Sequence, residues 1–338
     1  MPRRVFRVQA GTPLLDIVSY GRGAPQEKGG RLSLDQIEQI RRTVQCVPEV
    51  MVKVLPRASN DLKAAGQHLD YIIRYGQLAL ETDDGNRGGA ENGKAVLEEW
   101  DVDIDDLRRQ ASLTATRGRK PAKLIHKLVF SMPAGTSADK VLGAIRAFAR
   151  EEFWGQHRYA FVLHTDEDHP HVHLVLKAVS EQGVRLNIQK GTLRHWRSEF
   201  ARHLRQLDVP ANATDRAVRG QCRQTKKDGI YRASLRGDST YVRAQAEAVA
   251  DELLEGKMLA EPGKRKMLDT RKQVADGWRN VRDAVAKEGF EDLAAEVARF
   301  VEKMPPVRTR RESVAAALLE AARRPRGEAR SIMLNIPQ

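Results

Sequence analysis

The chain has 338 residues and a hydrophobic fraction of 41%, enough for a sizeable core, so disorder throughout is excluded. Its net charge of +13 favours a polyanionic partner and disfavours an enzyme for neutral small molecules. The two cysteines, Cys46 and Cys222, form no CxxC motif, which excludes a disulfide framework and a thiolate zinc site and fits a reducing cytoplasm. The sequence predicts neither a signal peptide nor a membrane span.

The first predicted elements surround a tyrosine. A capping box at Ser33-Leu34-Asp35-Gln36 begins a helix, and residues 50–55 are typical of a short strand. A second helix is predicted from apolar residues that recur at helical spacing, Leu62, Ala65, Leu69 and Ile72. Tyr71 comes near the end of this helix and off its apolar stripe, so we expect its hydroxyl to be free to react.

Strands and helices alternate through the middle of the chain. The patterns predict a strand over 123–132, a helix over 137–153, and strands over 158–164 and 171–179. The last two strands are joined by a short polar turn and should form an antiparallel hairpin. An amphipathic helix is then expected from Thr192, with cations on its polar faces: Arg194, Arg197, Arg202 and Arg205. From about residue 240, helical patterns indicate a separate helical region.

Charge is unevenly distributed along the chain. Residues 81–108 hold ten acidic and three basic side chains, which is typical of an insertion with an exposed loop. Residues 185–238 hold thirteen basic and five acidic side chains. This excess suits contact with a phosphate backbone, and an ordinary solvated face is the alternative interpretation.

Four of the nine histidines fall within residues 164–173. Alternate side chains of a strand point to the same face, so His171 and His173 are expected side by side, with Val172 on the opposite face. The hairpin should bring His164 beside them. Three neutral imidazoles leave positions open on a divalent ion, as catalysis requires. Surface histidines in a charged turn, or a closed structural site, are the alternatives.

The turn between these strands adds carboxylates. Asp166 and Asp168 are candidates to orient the histidines or to accept a proton, and His169 is interpreted as a turn residue. Other histidine motifs fit less well. A metallo-β-lactamase places its acid after the His-x-His, a zincin needs His-Glu-x-x-His on a helix, and a cupin needs a glutamate soon after the pair. The nearest one here is Glu181, eight residues after His173.

Three motifs in a fixed order resemble those of MobA/VirD-type relaxases, HUH endonucleases that mobilise plasmids and other conjugative elements. The first is a tyrosine near a helix end followed by a basic residue and a glycine, in residues 68–76. The second is a strand ending in Ser-x-Pro-x-Gly, in residues 126–135, and the third is the histidine run. Rolling-circle replication initiators usually place the histidines first. In this chain the tyrosine lies deeper than is usual and precedes an acidic insertion.

The resemblance implies an α+β fold, with an HUH endonuclease-like antiparallel sheet flanked by helices and followed by a mostly helical C-terminal region. It implies an N-terminal extension over 1–49 and a relaxase nuclease domain over 50–220. An acidic insertion near 82–118 interrupts this domain, and the helical region covers 240–338.

The resemblance also implies a reaction: nicking and rejoining of DNA at a transfer origin through a 5′-phosphotyrosyl intermediate. Tyr71 is the expected nucleophile, with Tyr75 as the alternative. Asp166 is the preferred group to help deprotonate it, with His164 as a rival. A divalent ion, Mg²⁺ or Mn²⁺, would be held by His164, His171 and His173. DNA contacts are expected from Arg74, Ser131, Arg194, Arg197 and Arg205.

The implied partners are single-stranded and supercoiled origin DNA, relaxosome accessory proteins and a type IV secretion coupling protein. The implied location is the cytoplasm, with passage into a recipient cell on the DNA. Two alternative functions are a rolling-circle replication initiator and an origin-binding accessory protein that does not nick.

Overall fold

The structure is a computed structural model that describes residues 32–55, 61–87, 93–113, 122–221, 236–256 and 261–323, together with residues 230, 233 and 234. The chain divides into two compact units. In the described residues, the first unit covers 46–213, and the second joins 32–45 to 214–323.

The first unit is built on a six-stranded sheet in which every pair of neighbouring strands is antiparallel. The strands are β1 (Met51–Val54), β2 (Leu80–Thr82), β3 (Gly85–Arg87), β4 (Ile125–Ser131), β5 (Tyr159–His164) and β6 (His171–Lys177). They lie in the order β1-β4-β6-β5-β2-β3, so the hairpin of β5 and β6 is at the centre.

The helices in the described residues are, in chain order, α1 (Leu34–Val44), α2 (Leu62–Ile72), α3 (Gly93–Glu99), α4 (Val102–Leu113), α5 (Ala138–Phe153), α6 (Lys190–Gln206), α7 (Thr240–Leu254), α8 (Gly263–Lys287), α9 (Glu291–Glu302) and α10 (Arg310–Arg323). Helices α2 to α6 flank the sheet, and the others form the second unit. The predicted α+β fold with a helical C-terminal region is confirmed. None of the described helices is both long and apolar enough to cross a membrane.

The two faces of the sheet carry different cores. On β6, Val172 and Leu174 point into a core formed with α5 and α6, where Phe148, Trp196 and Phe200 are fully buried. The alternate residues of β6, which include His171 and His173, point to the opposite face of the sheet. We call this face the histidine face. Helices α2, α3 and α4 pack on that face.

The acidic segment, residues 81–108, contributes to the core on the histidine face. Its apolar residues Val96, Leu97 and Trp100 are buried with Leu69 and Ile72 of α2. Two of its acids, Asp83 and Glu99, pair with Arg158 at 2.7 and 3.0 Å. The segment expected to hold an exposed loop therefore supports the tyrosine helix, although residues 88–92 and 114–121 lie outside the described residues.

The second unit is helical. Ile37 and Ile40 of α1 are buried against Trp278, Val281 and Leu293 of α8 and α9, so residues 32–45 of the predicted N-terminal extension pack in this unit, whereas residues 46–49 belong to the first unit. Helices α7 and α10 share a smaller core formed by Ala246, Val249, Val314 and Ala315. Residues 1–31 of the extension and 324–338 of the C-terminal region lie outside the described residues.

Helix α3 approaches the tyrosine helix closely at Gly93. A Cβ atom there would lie 2.5 Å from both the Gly66 carbonyl oxygen and the Leu69 Cβ, too close for atoms that are not bonded. At Gly66, by contrast, the nearest atoms would be 3.8 Å away, an ordinary contact. Alanine substitutions at these two glycines can therefore be compared, because both positions lie in the contact between α2 and α3 but only one of them has room for a Cβ atom.

We expect Gly93→Ala to destabilise the first unit by about 1–3 kcal/mol, because the helices must move apart. Gly66→Ala should stabilise it by about 0.5–1 kcal/mol, because alanine favours a helix interior and fits here. Urea unfolding followed by circular dichroism measures both changes. A Gly93→Ala protein as stable as the wild type would show that the close approach is wrong.

Candidate active site

Three histidines meet on the two central strands. His164 ends β5 and lies directly opposite His171 in the register of β5 and β6. His173 follows on the same face of β6. The ring centroids are 5.2 Å apart for His164 and His171, 4.6 Å for His164 and His173, and 5.3 Å for His171 and His173. One nitrogen from each ring lies within 4.8 Å of the others. The sequence expectation that these residues come together agrees with this geometry.

The hydrogen bonds of the rings fix which nitrogens hold a lone pair. His164 Nε2 lies 2.7 Å from the Ile72 carbonyl oxygen, which only accepts, so Nε2 donates and Nδ1 of the neutral ring holds the lone pair. His171 Nδ1 lies 3.1 Å from the His169 carbonyl oxygen, which leaves the lone pair on Nε2. Among the described residues, the buried Nδ1 of His173 has no hydrogen-bond partner.

Burial lowers the pKa of two of these rings. Loss of hydration, together with the charges of nearby His164 and His171, lowers the pKa of His173 to about 3. Loss of hydration also lowers the pKa of His164. A metal binds only the neutral ring, so three converging imidazoles, two of which burial keeps neutral, fit a divalent cation.

A second cluster, Glu151, Glu199 and His203 on α5 and α6, also has the composition of a metal site. Here the guanidinium of Arg202 lies 2.6 Å from Glu151 and 2.7 Å from Glu199, so the carboxylates already have a cation. We interpret this cluster as an ion-pair network.

Tyr71 reaches the histidines through a residue that the sequence analysis did not single out. His68 lies three positions before Tyr71 on α2, and the two rings stack with centroids 6.4 Å apart. The same His68 ring stands edge-on to His173 at 6.2 Å. Residues three apart share a helix face, so this spacing was the available signal. The side chain of Tyr71 is 48% exposed, so its hydroxyl is open to solvent as the sequence led us to expect.

Arg74 connects the tyrosine to the hairpin. Its guanidinium lies over the Tyr71 ring, 5.2 Å from the centroid, and its Nη2 is 2.5 Å from Asp166 and 3.5 Å from His164 Nδ1. Arg74 and Tyr75 both have positive φ angles, 51° and 54°, in the left-handed turn that ends α2. This turn directs the Arg74 side chain back toward the hairpin.

Asp166 is an anion in this arrangement. Slight burial acts to raise its pKa, but its own backbone amide and the charge of Arg74 outweigh this and lower the pKa. Its Oδ1 lies 3.8 Å from His164 Nδ1. Asp166, the predicted proton acceptor, therefore lies next to His164, the alternative acceptor, and Arg74 lies beside both.

Tyr75, the alternative nucleophile, is 83% exposed. Within the described residues, the ring contacts lead from the histidines to Tyr71 and not to Tyr75. The geometry therefore favours Tyr71.

The five predicted DNA contacts are split between the two faces of the sheet. Ser131 lies directly opposite His171 in the register of β4 and β6, on the histidine face and beside the trio, as Arg74 also is. Helix α6 packs its Trp196 and Phe200 into the core of the opposite face. That helix carries the remaining three residues, Arg194, Arg197 and Arg205. The structure does not bring these three to the histidines, and residues 222–229 of the basic stretch lie outside the described residues.

A central antiparallel hairpin carries three histidines and is faced by a helix that carries a tyrosine, which is the arrangement that the resemblance to HUH endonucleases implies. Residues 84–207 match the family described as "Relaxase: MobA/VirD2-like, nuclease domain". This match agrees with the resemblance to MobA/VirD-type relaxases that the motif order implied. The matched segment includes Ser131 and the histidines, whereas Tyr71 precedes it.

Similar proteins agree with this assignment. The chain is 27% identical over 144 residues to the T-DNA border endonuclease VirD2 of Rhizobium radiobacter, across 38% of this chain and 31% of the relative. It is 26% identical over 144 residues to the protein of the same name from Agrobacterium fabrum (strain C58 / ATCC 33970), across 38% of this chain and 30% of the relative. The match thus spans about a third of the length of these relatives.

Binding of a metal ion to the three histidines should raise the free energy of unfolding. We expect Mn²⁺ to stabilise the wild type by about 2.7 kcal/mol at a hundredfold excess over its Kd. His173→Ala should lose this stabilisation because one ligand is removed. Glu199→Gln, which alters the second cluster, should keep it. Unfolding temperatures with Mn²⁺ or with EDTA measure the difference, and a stabilisation lost in Glu199→Gln instead would place the metal at the second cluster.

Proposed function

We propose that this protein nicks one strand of DNA at a transfer origin and rejoins it through a 5′-phosphotyrosyl intermediate, initiating conjugative mobilisation. The observation that carries the proposal is the chain of ring contacts from Tyr71 through His68 to the histidine trio. The match to the MobA/VirD2-like relaxase nuclease family supports the same reaction.

The proposed reaction exchanges one phosphate ester for another. The phenolic oxygen of Tyr71 attacks the scissile phosphorus, and the bond from phosphorus to the 3′ oxygen breaks. The 3′ oxygen takes a proton and leaves as a hydroxyl, while the 5′ phosphate stays on Tyr71. Since the new ester conserves the energy of the old bond, attack by a 3′ hydroxyl on the phosphotyrosine rejoins the strand without ATP.

The phenol must lose its proton as it attacks, because an ordinary phenol has a pKa of about 10. Asp166 is the proposed acceptor, and His164 is the alternative. Support for Asp166 is its anionic state and its ion pair with the guanidinium that covers the Tyr71 ring. His164 has a lone pair on Nδ1, but this is also the atom that it would offer to a metal.

His164, His171 and His173 are proposed to bind Mg²⁺ or Mn²⁺, which is supported by the convergence of the three imidazoles and by the lowered pKa values of His164 and His173. When bound, such an ion supplies charge neutralisation and orientation for the scissile phosphate. Arg74 is proposed to bind a phosphate near Tyr71 through its planar guanidinium, and Ser131 to contact the strand beside His171.

The remaining basic residues have a different proposed task. Arg194, Arg197 and Arg205 lie on the helix that covers the opposite face, so we assign them to flanking DNA and not to the scissile phosphate. The proposed substrate is single-stranded or supercoiled origin DNA. Relaxosome accessory proteins and a type IV secretion coupling protein are the proposed partners, in the cytoplasm and during passage of the strand to a recipient cell.

The nucleophile can be identified from a covalent adduct. Wild-type protein mixed with Mn²⁺ and a randomised single strand labelled at its 3′ end should give a labelled protein band that survives SDS. Tyr71→Phe should abolish the band because the attacking oxygen is gone, and Tyr75→Phe should keep it. The reverse pattern would assign the nucleophile to Tyr75. A wild type that binds the strand but never forms the adduct would instead favour the accessory DNA-binding function.

The proton acceptor can be tested separately. Asp166→Asn should slow single-turnover nicking by about 10²-fold or more, in the range of general-base catalysis, without weakening DNA binding. Glu167→Gln changes an exposed carboxylate in the same turn and serves as the control, with an expected wild-type rate. If Asp166→Asn nicks as fast as Glu167→Gln, the proton goes elsewhere.

A further inference from the structure

We propose that Lys127 binds a phosphate of the DNA strand that lies against the histidine face, beside the metal-binding histidines. The proposal rests on the proposed function and adds a residue to the substrate site. It is carried by an observation of charge and burial: Lys127 is a buried cation on this face that pairs with no carboxylate among the described residues.

The strand geometry places Lys127 on the histidine face. Its neighbours on β4, Leu128 and Phe130, point into the core on the opposite side, so Lys127 and Ser131 point to the histidine face. In the register of β4 and β6, Lys127 lies opposite Val175, one alternate position from His173. Such diagonal neighbours are about 7–8 Å apart, within reach of a lysine side chain.

Lys127 also faces the tyrosine helix. Loss of hydration lowers the pKa of His68 to about 4, and the positive charge of Lys127 contributes to this shift. The ammonium group is therefore close enough to influence His68, whose ring lies between Tyr71 and His173.

Within the ranges that the structure describes, the ammonium group of Lys127 has no counter-ion. Lys127 is only 4% exposed, and burial alone accounts for the lowering of its pKa, with no contribution from a carboxylate. Across the described residues, no ion pair includes Lys127. A buried charge without a partner is costly, so proteins rarely keep one for stability alone.

A second lysine on the same face shows the usual solution. Lys177 ends β6 and is buried to a similar degree, 6% exposed. Its Nζ lies 3.7 Å from Asp105 and 3.7 Å from Glu181. Two carboxylates thus offset the charge of Lys177, whereas no carboxylate of the described residues offsets that of Lys127, so an anion from outside the protein can pair with it. A phosphodiester supplies that anion, and the strand that reaches Tyr71 brings one to this face.

The number of phosphate contacts can be read from the salt dependence of binding. In a Tyr71→Phe background, which prevents cleavage, we expect Lys127→Met to weaken binding of a labelled randomised single strand. The slope of log K against log salt should fall by about 0.7, the value for one phosphate contact on a single strand. Lys127→Arg, which keeps the charge, should keep the slope. Fluorescence anisotropy at several salt concentrations measures it.

A structural role gives a different result. Lys127→Met should leave the unfolding temperature without DNA unchanged or higher, because it removes an unpaired buried charge. Lys177→Met should lower that temperature by leaving Asp105 and Glu181 without their cation, yet keep the salt slope. A wild-type slope in Lys127→Met overturns the proposal. The adduct assay with Tyr71 present reports separately on the proposed function, since an adduct together with an unchanged slope would reject only the role of Lys127.

Discussion

The candidate site depends on one register, the pairing of β5 with β6 that sets His164 opposite His171. Side chains alternate between the faces of a sheet, so a slip of one residue would turn one strand's histidines toward Phe148 and Trp196. Burial prevents that slip, because Val172 and Leu174 fill the core on the other face. The same packing that stabilises the sheet therefore fixes the geometry of the three imidazoles.

The tyrosine is positioned by a different part of the chain. Helix α2 is held on the histidine face by Trp100 and its neighbours in the acidic segment. The next strand, β2, begins eight residues after the helix ends. At its end, the left-handed turn directs Arg74 toward Asp166 and His164. Tyr71 and the histidines, which are distant in sequence, thus come close together because α2 packs against both helices α3 and α4 and the β5–β6 hairpin.

Local patterns predicted the parts of this structure that depend on neighbours in sequence. The spacing of Leu62 to Ile72 gave the tyrosine helix, and alternation gave β4 and the β5–β6 hairpin with its three histidines. Contacts between distant segments could not be predicted in this way. Strands β2 and β3 are only three residues long, too short for a clear pattern. The role of the acidic segment in the core depends on the packing of Trp100 against Leu69, and the basic helix α6 lies on the opposite face from the histidines. His68 was overlooked because its role depends on a ring from another strand.

The electrostatics of the histidine face follow from burial. Loss of hydration lowers the pKa of His164 and of His173, so these two rings add no charge until a cation binds. The charge of Arg74 is offset by Asp166, whose carboxylate lies 2.5 Å away, whereas Lys127 has no such partner among the described residues. Lys127 is therefore a positive charge on the histidine face that no carboxylate in the described part of the chain offsets. In the proposed reaction it gives the phosphate strand a fixed point of attraction on a rigid strand, which suits the proposed alignment of one phosphorus atom with one phenolic oxygen.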